Sequence, residues 1–297
     1  MDLISSRTNP KIKQIRALRG RQGRQQSDLF LVEGIFHVGE AVAATQAGKL
    51  RLDSVFYAPE LLKSEFALEL VQGLRRQEGA ASIPCYAVTR QVFESIAEKD
   101  NPQGILAIAR PVHYELKALN TSNFSWGVAL VAPQDPGNLG TILRTIDAVG
   151  ASGLLLLDSN LDPYHPSAVR ASMGALFWYP LVQASFAEFA SWVTERGYTV
   201  YGTSAHASTD YRRLTVAGSS DQPSRADQPQ AQTYSKPMIL LLGSERQGLT
   251  EEQVAVCHHL LRLPMLGHAT SLNLAVAAGV MLYAMLEELY TISKLIY

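Results

Sequence analysis

Apolar positions along this chain follow two rhythms. Near the N-terminus, Ile12, Ile15 and Leu18 recur at helical spacing behind Asn9, an N-cap candidate, and Pro10, which suits a first helical turn. "DLFLVEG", "LDSVFYA", "IPCYAVT" and "GILAIAR" are short apolar runs of strand length. "IFHVGEAVAATQAG", "LLKSEFALELVQGLRRQ" and "RQVFESIAEK" between them carry helical periodicity. This alternation predicts a small α/β domain over residues 1–110. "PVHYELKALNTSNFSW" has no clear period, so a linker is expected at 111–125. From 126 to 297 the alternation resumes in longer units. "WGVALVA", "GLLLLD", "YTVYGTS", "PMILLLG" and "HLLRLPM" are continuous apolar runs, as parallel strands buried on both faces require. Helices are expected at 139–149, 167–176, 186–196, 251–257 and 271–290, with Thr250 and Gln253 spaced for a capping box. Residues 217–237, rich in Ser, Asp, Gln and Pro, lack the apolar surface that offsets ordering entropy and are expected to form a flexible insertion.

Three segments that each close a strand carry polar residues that a core does not need. In "DPGNLGTILR", Pro136 and Gly137 make a turn. Asn138 suits an Asx-turn, a helix cap or a contact to a ligand. Arg144 is either a snorkelling surface side chain or one that reaches back toward the strand ends, where α/β proteins bind ligands. In "ILLLGSERQGL", Gly243 lets a ligand lie against the backbone, and Glu245 stands where its carboxylate could pair with an arginine or orient a hydroxyl. In "LRLPMLGHATSLNLAVAAGV", Met265 and Leu266 offer apolar surface. Ser271 and Asn273 open a long apolar helix, which they could cap or leave to face a site. The small residues of "AVAAG" permit close packing of a neighbouring helix or a second subunit.

Length and charge narrow the field. A chain of 297 residues suits two domains, and no apolar run reaches the roughly 18 to 20 residues of a membrane span. The N-terminus lacks the apolar core of a secretory signal, so a cytoplasmic protein is expected. Cys85 and Cys257 lack metal-ligand spacing, and no metal is expected. Net charge is −1, yet Arg7, Lys11, Lys13, Arg16, Arg19, Arg21 and Arg24 follow one another without an acidic residue. Such a run is either a solvated helix face or a patch for a phosphate backbone. GxxxxGK[ST], GxSxG and HExxH are absent, and no GxGxxG follows the first strand of either half.

In this order, "NLGTILRTIDAVG", "LLLGSERQGL" and "LPMLGHATSLNLAVAAG" resemble the three motifs of the SpoU (TrmH) family, RNA ribose 2′-O-methyltransferases of the SPOUT superfamily. "RASMGALFWYPL" is similar to the segment between the first and second motifs. "SRTNPKIKQIRAL", "FLVEG" and "NPQGILAIA" resemble the family's L30e-like substrate-binding domain more weakly. The departures are mild: Ile146 stands where alanine is frequent, and "SERQG" replaces the commoner "SEGKG" or "SEAHG". The resemblance implies an α/β methyltransferase domain with a deep trefoil knot, S-adenosylmethionine as cofactor and a homodimer. It implies cofactor contacts from Gly243, Leu263, Met265 and Leu272, and polar active-site positions at Asn138, Arg144, Glu245, Ser271 and Asn273. Arg7, Lys11, Lys13, Arg16 and Arg19 would contact RNA phosphates, which position a substrate without specifying it. Ribosomal RNA is favoured over transfer RNA. A non-catalytic RNA-binding protein of the same fold, and an enzyme that methylates a base, are the competing readings. A guanidinium's pKa lies far above physiological pH. Lowering it by about 4 to 5 units for base catalysis would cost about 6 kcal/mol. Arg144 is therefore expected mainly as a phosphate clamp, with the role of base left open.

Overall fold

A computed structural model describes residues 3–76, 82–98, 100–213 and 234–296. Of the insertion expected at 217–237, residues 217–233 lie outside the described residues. The chain forms two compact units: 1–112 with 162–178, and 113–161 with 179–297.

The first unit starts with α1 (Pro10–Arg19), capped by Asn9, whose side chain accepts from the backbone N–H of Lys11 at 2.9 Å. Its apolar stripe, Ile12, Ile15 and Leu18, is buried as the spacing predicts. Next comes α2 (Arg21–Ser27), which the apolar pattern does not announce because it has no apolar residue. Its anchor is Arg24, buried at 5% exposure, which pairs with Asp162 at 2.6 Å and donates to the carbonyls of Leu18 and Arg19 at 2.8 Å. There follow β1 (Phe30–Glu33), α3 (Ile35–Gln46), β2 (Arg51–Tyr57), α4 (Glu65–Arg76), β3 (Cys85–Ala87), α5 (Arg90–Glu94) and β4 (Ile105–Arg110). The strands form a mixed sheet of order β1-β4-β2-β3, with β4 antiparallel to both neighbours and β3 parallel to β2.

In the second unit, β5 (Trp126–Val131), α6 (Pro136–Val149) and β6 (Gly153–Leu157) come first. The chain then joins the first unit through 162–178, which contains α7 (Pro166–Ala171). Tyr164 and Phe177 stack on Phe30, with ring centroids 4.7 and 6.2 Å away, and Trp178 Nε1 donates to Glu40 at 3.1 Å. Back in the second unit come β7 (Leu181–Ala184), α8 (Phe186–Arg196), β8 (Thr199–Thr203), β9 (Thr209–Asp210), β10 (Met238–Leu242), α9 (Glu251–Ala255), β11 (His259–Arg262) and α10 (Leu274–Ile296). All pairings in this sheet are parallel, and its order is β7-β6-β5-β10-β8-β11-β9.

The continuous apolar runs have their cause here. Alternate strand residues Ala129, Leu155, Val200, Ile239 and Leu241 pack with Phe186, Phe189, Trp192 and Val193 of α8. α6 and α10 pack on each other and contact β6 and β10. With both faces covered, every residue of β5, β6 and β10 is buried. The stretch expected as a linker contributes to this core: Leu119 and Phe124 are buried within it, and Tyr114 and Leu116 pack against it. Tyr234, inside the expected insertion, is also buried and sits beside Tyr201 with ring centroids 4.9 Å apart.

Candidate active site

The three motif loops all leave the carboxyl edge of the parallel sheet, the edge at which open α/β sheets bind ligands. The first leads into α6. Asp135, immediately before Pro136, is the N-cap and accepts from the N–H groups of Gly137 and Asn138. Asn138 therefore does not cap this helix, and its side chain is free for another partner. That partner is Asn273: its Nδ2 donates to Asn138 Oδ1 at 2.9 Å. The Oδ1 of Asn273 accepts from Ala275 and Val276 at 2.9 and 3.2 Å, capping α10. One amide thus closes a helix end and ties the third motif to the first.

The second motif forms a closed turn. Ser244 and Gly248 exchange backbone hydrogen bonds of 3.2 and 3.0 Å, and the N–H of Gln247 donates to Ser244 Oγ at 3.2 Å. Gly248 has φ +68°, which suits glycine. A Cβ at Gly243 would run into the backbone of Gly248, so turn closure itself demands glycine there. The backbone N–H of Gln134 donates to Glu245 Oε1 at 3.3 Å, joining the second motif to the first.

Between the second and third motifs lies a cavity of about 320 Å³. Its wall includes Gly243, Glu245, Leu263, Met265, Ser271 and Leu272, all singled out from the sequence. Asn138, Arg144 and Asn273 do not line it. Arg144 is exposed on α6 and forms no hydrogen bond or ion pair among the described residues. It lies six residues beyond Asn138, about 9 Å further along the axis. Helical side chains lean toward the N-terminus, the end at which α6 leaves the strand edge.

Sequence reasoning missed the end of β8 and the loop after it, where Thr203, Ser204 and His206 also line the cavity. The signal for it was a run of small polar residues, "TSAHAS", directly after an apolar strand. Arg246, noted only as a departure from the commoner motif, lines the cavity as well. The cavity suits S-adenosylmethionine in kind. Leu242, Leu249, Leu263 and Met265 give apolar surface for a base and a thioether-like chain, while strand-end backbone and polar side chains supply hydrogen bonds.

The basic arm divides in the structure. Arg7 and Lys13 are exposed, and Lys11 Nζ stands 4.2 Å from the ring centroid of Tyr86. Arg16 donates to the Arg7 carbonyl at 3.0 Å and to Ser95 at 2.9 Å. Arg19 is committed to Glu33 at 2.7 Å and Glu98 at 3.2 Å, with a further bond to the Ile96 carbonyl. Among the described residues no group of His, Cys, Asp and Glu could hold a metal ion, and no helix is long and apolar enough to cross a membrane.

A parallel α/β unit with strand-end loops tied together by hydrogen bonds and a cavity suited to adenosylmethionine has the features of a methyltransferase. Residues 125–283 match the SpoU rRNA Methylase family, and the chain belongs to it. Residues 9–107 match the MRM3-like substrate binding domain. The chain is 28% identical over 284 residues to the 23S rRNA (guanosine(2553)-2′-O)-methyltransferase RlmP of Bacillus subtilis, covering 95% of this chain and 98% of that protein. It is also 28% identical over 293 residues to the 23S rRNA (uridine(2479)-2′-O)-methyltransferase of Streptomyces viridochromogenes, covering 96% of this chain and 92% of that one. The crystal structure of an AdoMet-bound rRNA methyltransferase from Sinorhizobium meliloti superposes with a TM-score of 0.77 at 32% identity, over 97% of this chain and 98% of that one. The protein is thus an RNA ribose 2′-O-methyltransferase that uses S-adenosylmethionine.

Proposed function

We propose that this enzyme methylates a ribose 2′-hydroxyl of 23S ribosomal RNA, with the cavity between the second and third motifs as its cofactor site. The supporting observation is the pairing of Asn138 with Asn273 beside that cavity, which draws residues from distant loops to one sheet edge. When bound, S-adenosylmethionine supplies an electrophilic methyl group. Gly243, Leu263, Met265 and Leu272 would hold it against the strand ends. Glu245, Ser271 and the Asn138–Asn273 pair would orient the ribose, holding its 2′-hydroxyl toward the methyl group that the bound cofactor would supply. Fixing the two reacting atoms in line accounts for several kcal/mol of barrier lowering, on the order of 7 in well-oriented cases. Arg144 clamps the adjoining phosphate and offsets its charge.

Residues 1–110 would select the RNA, with Arg7, Lys11, Lys13 and Arg16 on phosphates and Arg19 bracing the arm. Two relatives named as 23S rRNA 2′-O-methyltransferases, matched over 98% and 92% of their own length, support that target. An enzyme with that substrate works in the cytoplasm. A trefoil knot is supported by the strand order, in which β10 inserts between the earlier β5 and β8. A homodimer is supported by α10, where Val276, Val280 and Tyr283 are exposed at i, i+4 and i+7. Light scattering should give twice the chain mass, and Tyr283→Glu should halve it.

Mapping 2′-O-methyl marks on ribosomal RNA from cells with and without the gene tests the target. One mark in 23S RNA that disappears with the gene is the expected result. Marks lost only from transfer RNA would overturn it.

A further inference from the structure

Arg246 is the apex of the closed turn that follows β10. The paired backbone of Ser244 and Gly248 and the Gln247–Ser244 bond hold that turn rigid. The arginine lines the cavity, is exposed, and has no hydrogen bond or ion pair among the described residues. Its neighbour Glu245 forms no ion pair with it, and that carboxylate accepts from the N–H of Gln134. A cation and an anion thus stand side by side, unpaired with each other, on the wall of one cavity. His206, across the sequence on the loop after β8, is the other titratable side chain of that wall.

The amino-acid end of S-adenosylmethionine is a zwitterion, with a carboxylate and an ammonium on one carbon. We propose that Arg246 binds the methionyl carboxylate. This rests on the reading of the cavity as the cofactor site. A guanidinium suits the task because its planar fork can take both carboxylate oxygens. Presentation on a closed turn lowers the ordering cost of forming that contact.

Calorimetric titration of the full chain tests the assignment with two ligands: S-adenosylmethionine, and 5′-methylthioadenosine, which keeps the nucleoside and sulfur but lacks the amino-acid end. Arg246→Gln should weaken S-adenosylmethionine about tenfold or more while shifting methylthioadenosine less than about twofold. Arg246→Lys should recover part of the loss. Equal weakening of both ligands, or no weakening of either, overturns the proposal. So does a loss confined to RNA binding, which would make Arg246 a phosphate contact. Ala205→Trp separates this from the underlying reading, since Ala205 is an exposed residue on the same wall. If Ala205→Trp blocks both ligands but Arg246→Gln changes nothing, only the carboxylate assignment fails. If Ala205→Trp leaves binding intact, the cavity is not the cofactor site and both fall.

Discussion

Asn273 donates its side-chain amide to Asn138 at 2.9 Å, across 135 positions of sequence, while its oxygen caps α10. The two ends of one side chain therefore carry separable duties. Asn273→Asp keeps the capping oxygen and loses the donor. It should unfold within about 0.5 kcal/mol of the parent and lose most methyl transfer. Asn273→Ala loses both and should also be about 1 kcal/mol less stable. Denaturant unfolding beside methyl incorporation distinguishes these outcomes. Equal activity in the parent and the aspartate variant would show that the amide pair has no part in turnover.

Arg144 has no internal partner among the described residues and does not line the cavity. Arg144→Ala should abolish turnover while leaving S-adenosylmethionine affinity within about twofold. A variant that no longer takes up the cofactor would contradict a role confined to RNA.

The pair of buried Arg24 and half-buried Asp162 is a stability element. Asp162→Ala leaves a guanidinium of 5% exposure with only the Leu18 and Arg19 carbonyls as partners. Removing one member of such a pair costs about 3 to 5 kcal/mol. Urea unfolding should show this cost, and a loss below about 1 kcal/mol would mean water replaces the carboxylate.

In the basic arm, Lys13→Glu should weaken RNA binding and reduce the slope of log K against log salt by roughly one for each phosphate no longer neutralised. Arg19→Ala should act differently, loosening the Glu33–Glu98 cluster and lowering thermal stability. Filter binding across a salt series, together with melting curves, separates the two classes of residue.

Burial pushes the Cys257 thiol up to about 11 from its ordinary 9.0. At pH 8 that shift makes its thiolate fraction about a hundredfold lower than that of an exposed cysteine, and only the thiolate is nucleophilic. Iodoacetamide labelling of the native chain should be correspondingly slow at Cys257. It should rise with pH beyond the range in which a free thiol saturates. Rapid labelling at pH 8 would show that the helix before it opens readily.

The parts of this fold that were legible are those in which local pattern and global packing agree. Continuous apolar runs marked β5, β6, β8 and β10 because helices cover both faces of that sheet. Asn9–Pro10 and Thr250–Gln253 marked helix starts because capping is a local interaction. α2 stayed silent because a buried ion pair to residue 162, not an apolar stripe, anchors it. β7 is four residues long and offers no period. Glycine at 243 was read as room for a ligand; it lines the cavity, and the Gly248 backbone packs where a Cβ would stand, a second demand that the sequence did not announce. The Asn138–Asn273 bond has no local signature at all; only the order of three motifs hinted at it. The loop after β8 had only a weak one, the run "TSAHAS", which resembles many other turns.

The sequence between β6 and β7 leaves its neighbours to pack with residues from the N-terminal third, and Phe30 stacks on both Tyr164 and Phe177. The polypeptide consequently passes three times between the two units, at 112/113, 161/162 and 178/179. Grafting a foreign recognition module onto this enzyme by a single cut near residue 112 would strand those aromatics in solvent. Modular exchange in this architecture has to carry the 162–178 excursion along with the head it belongs to.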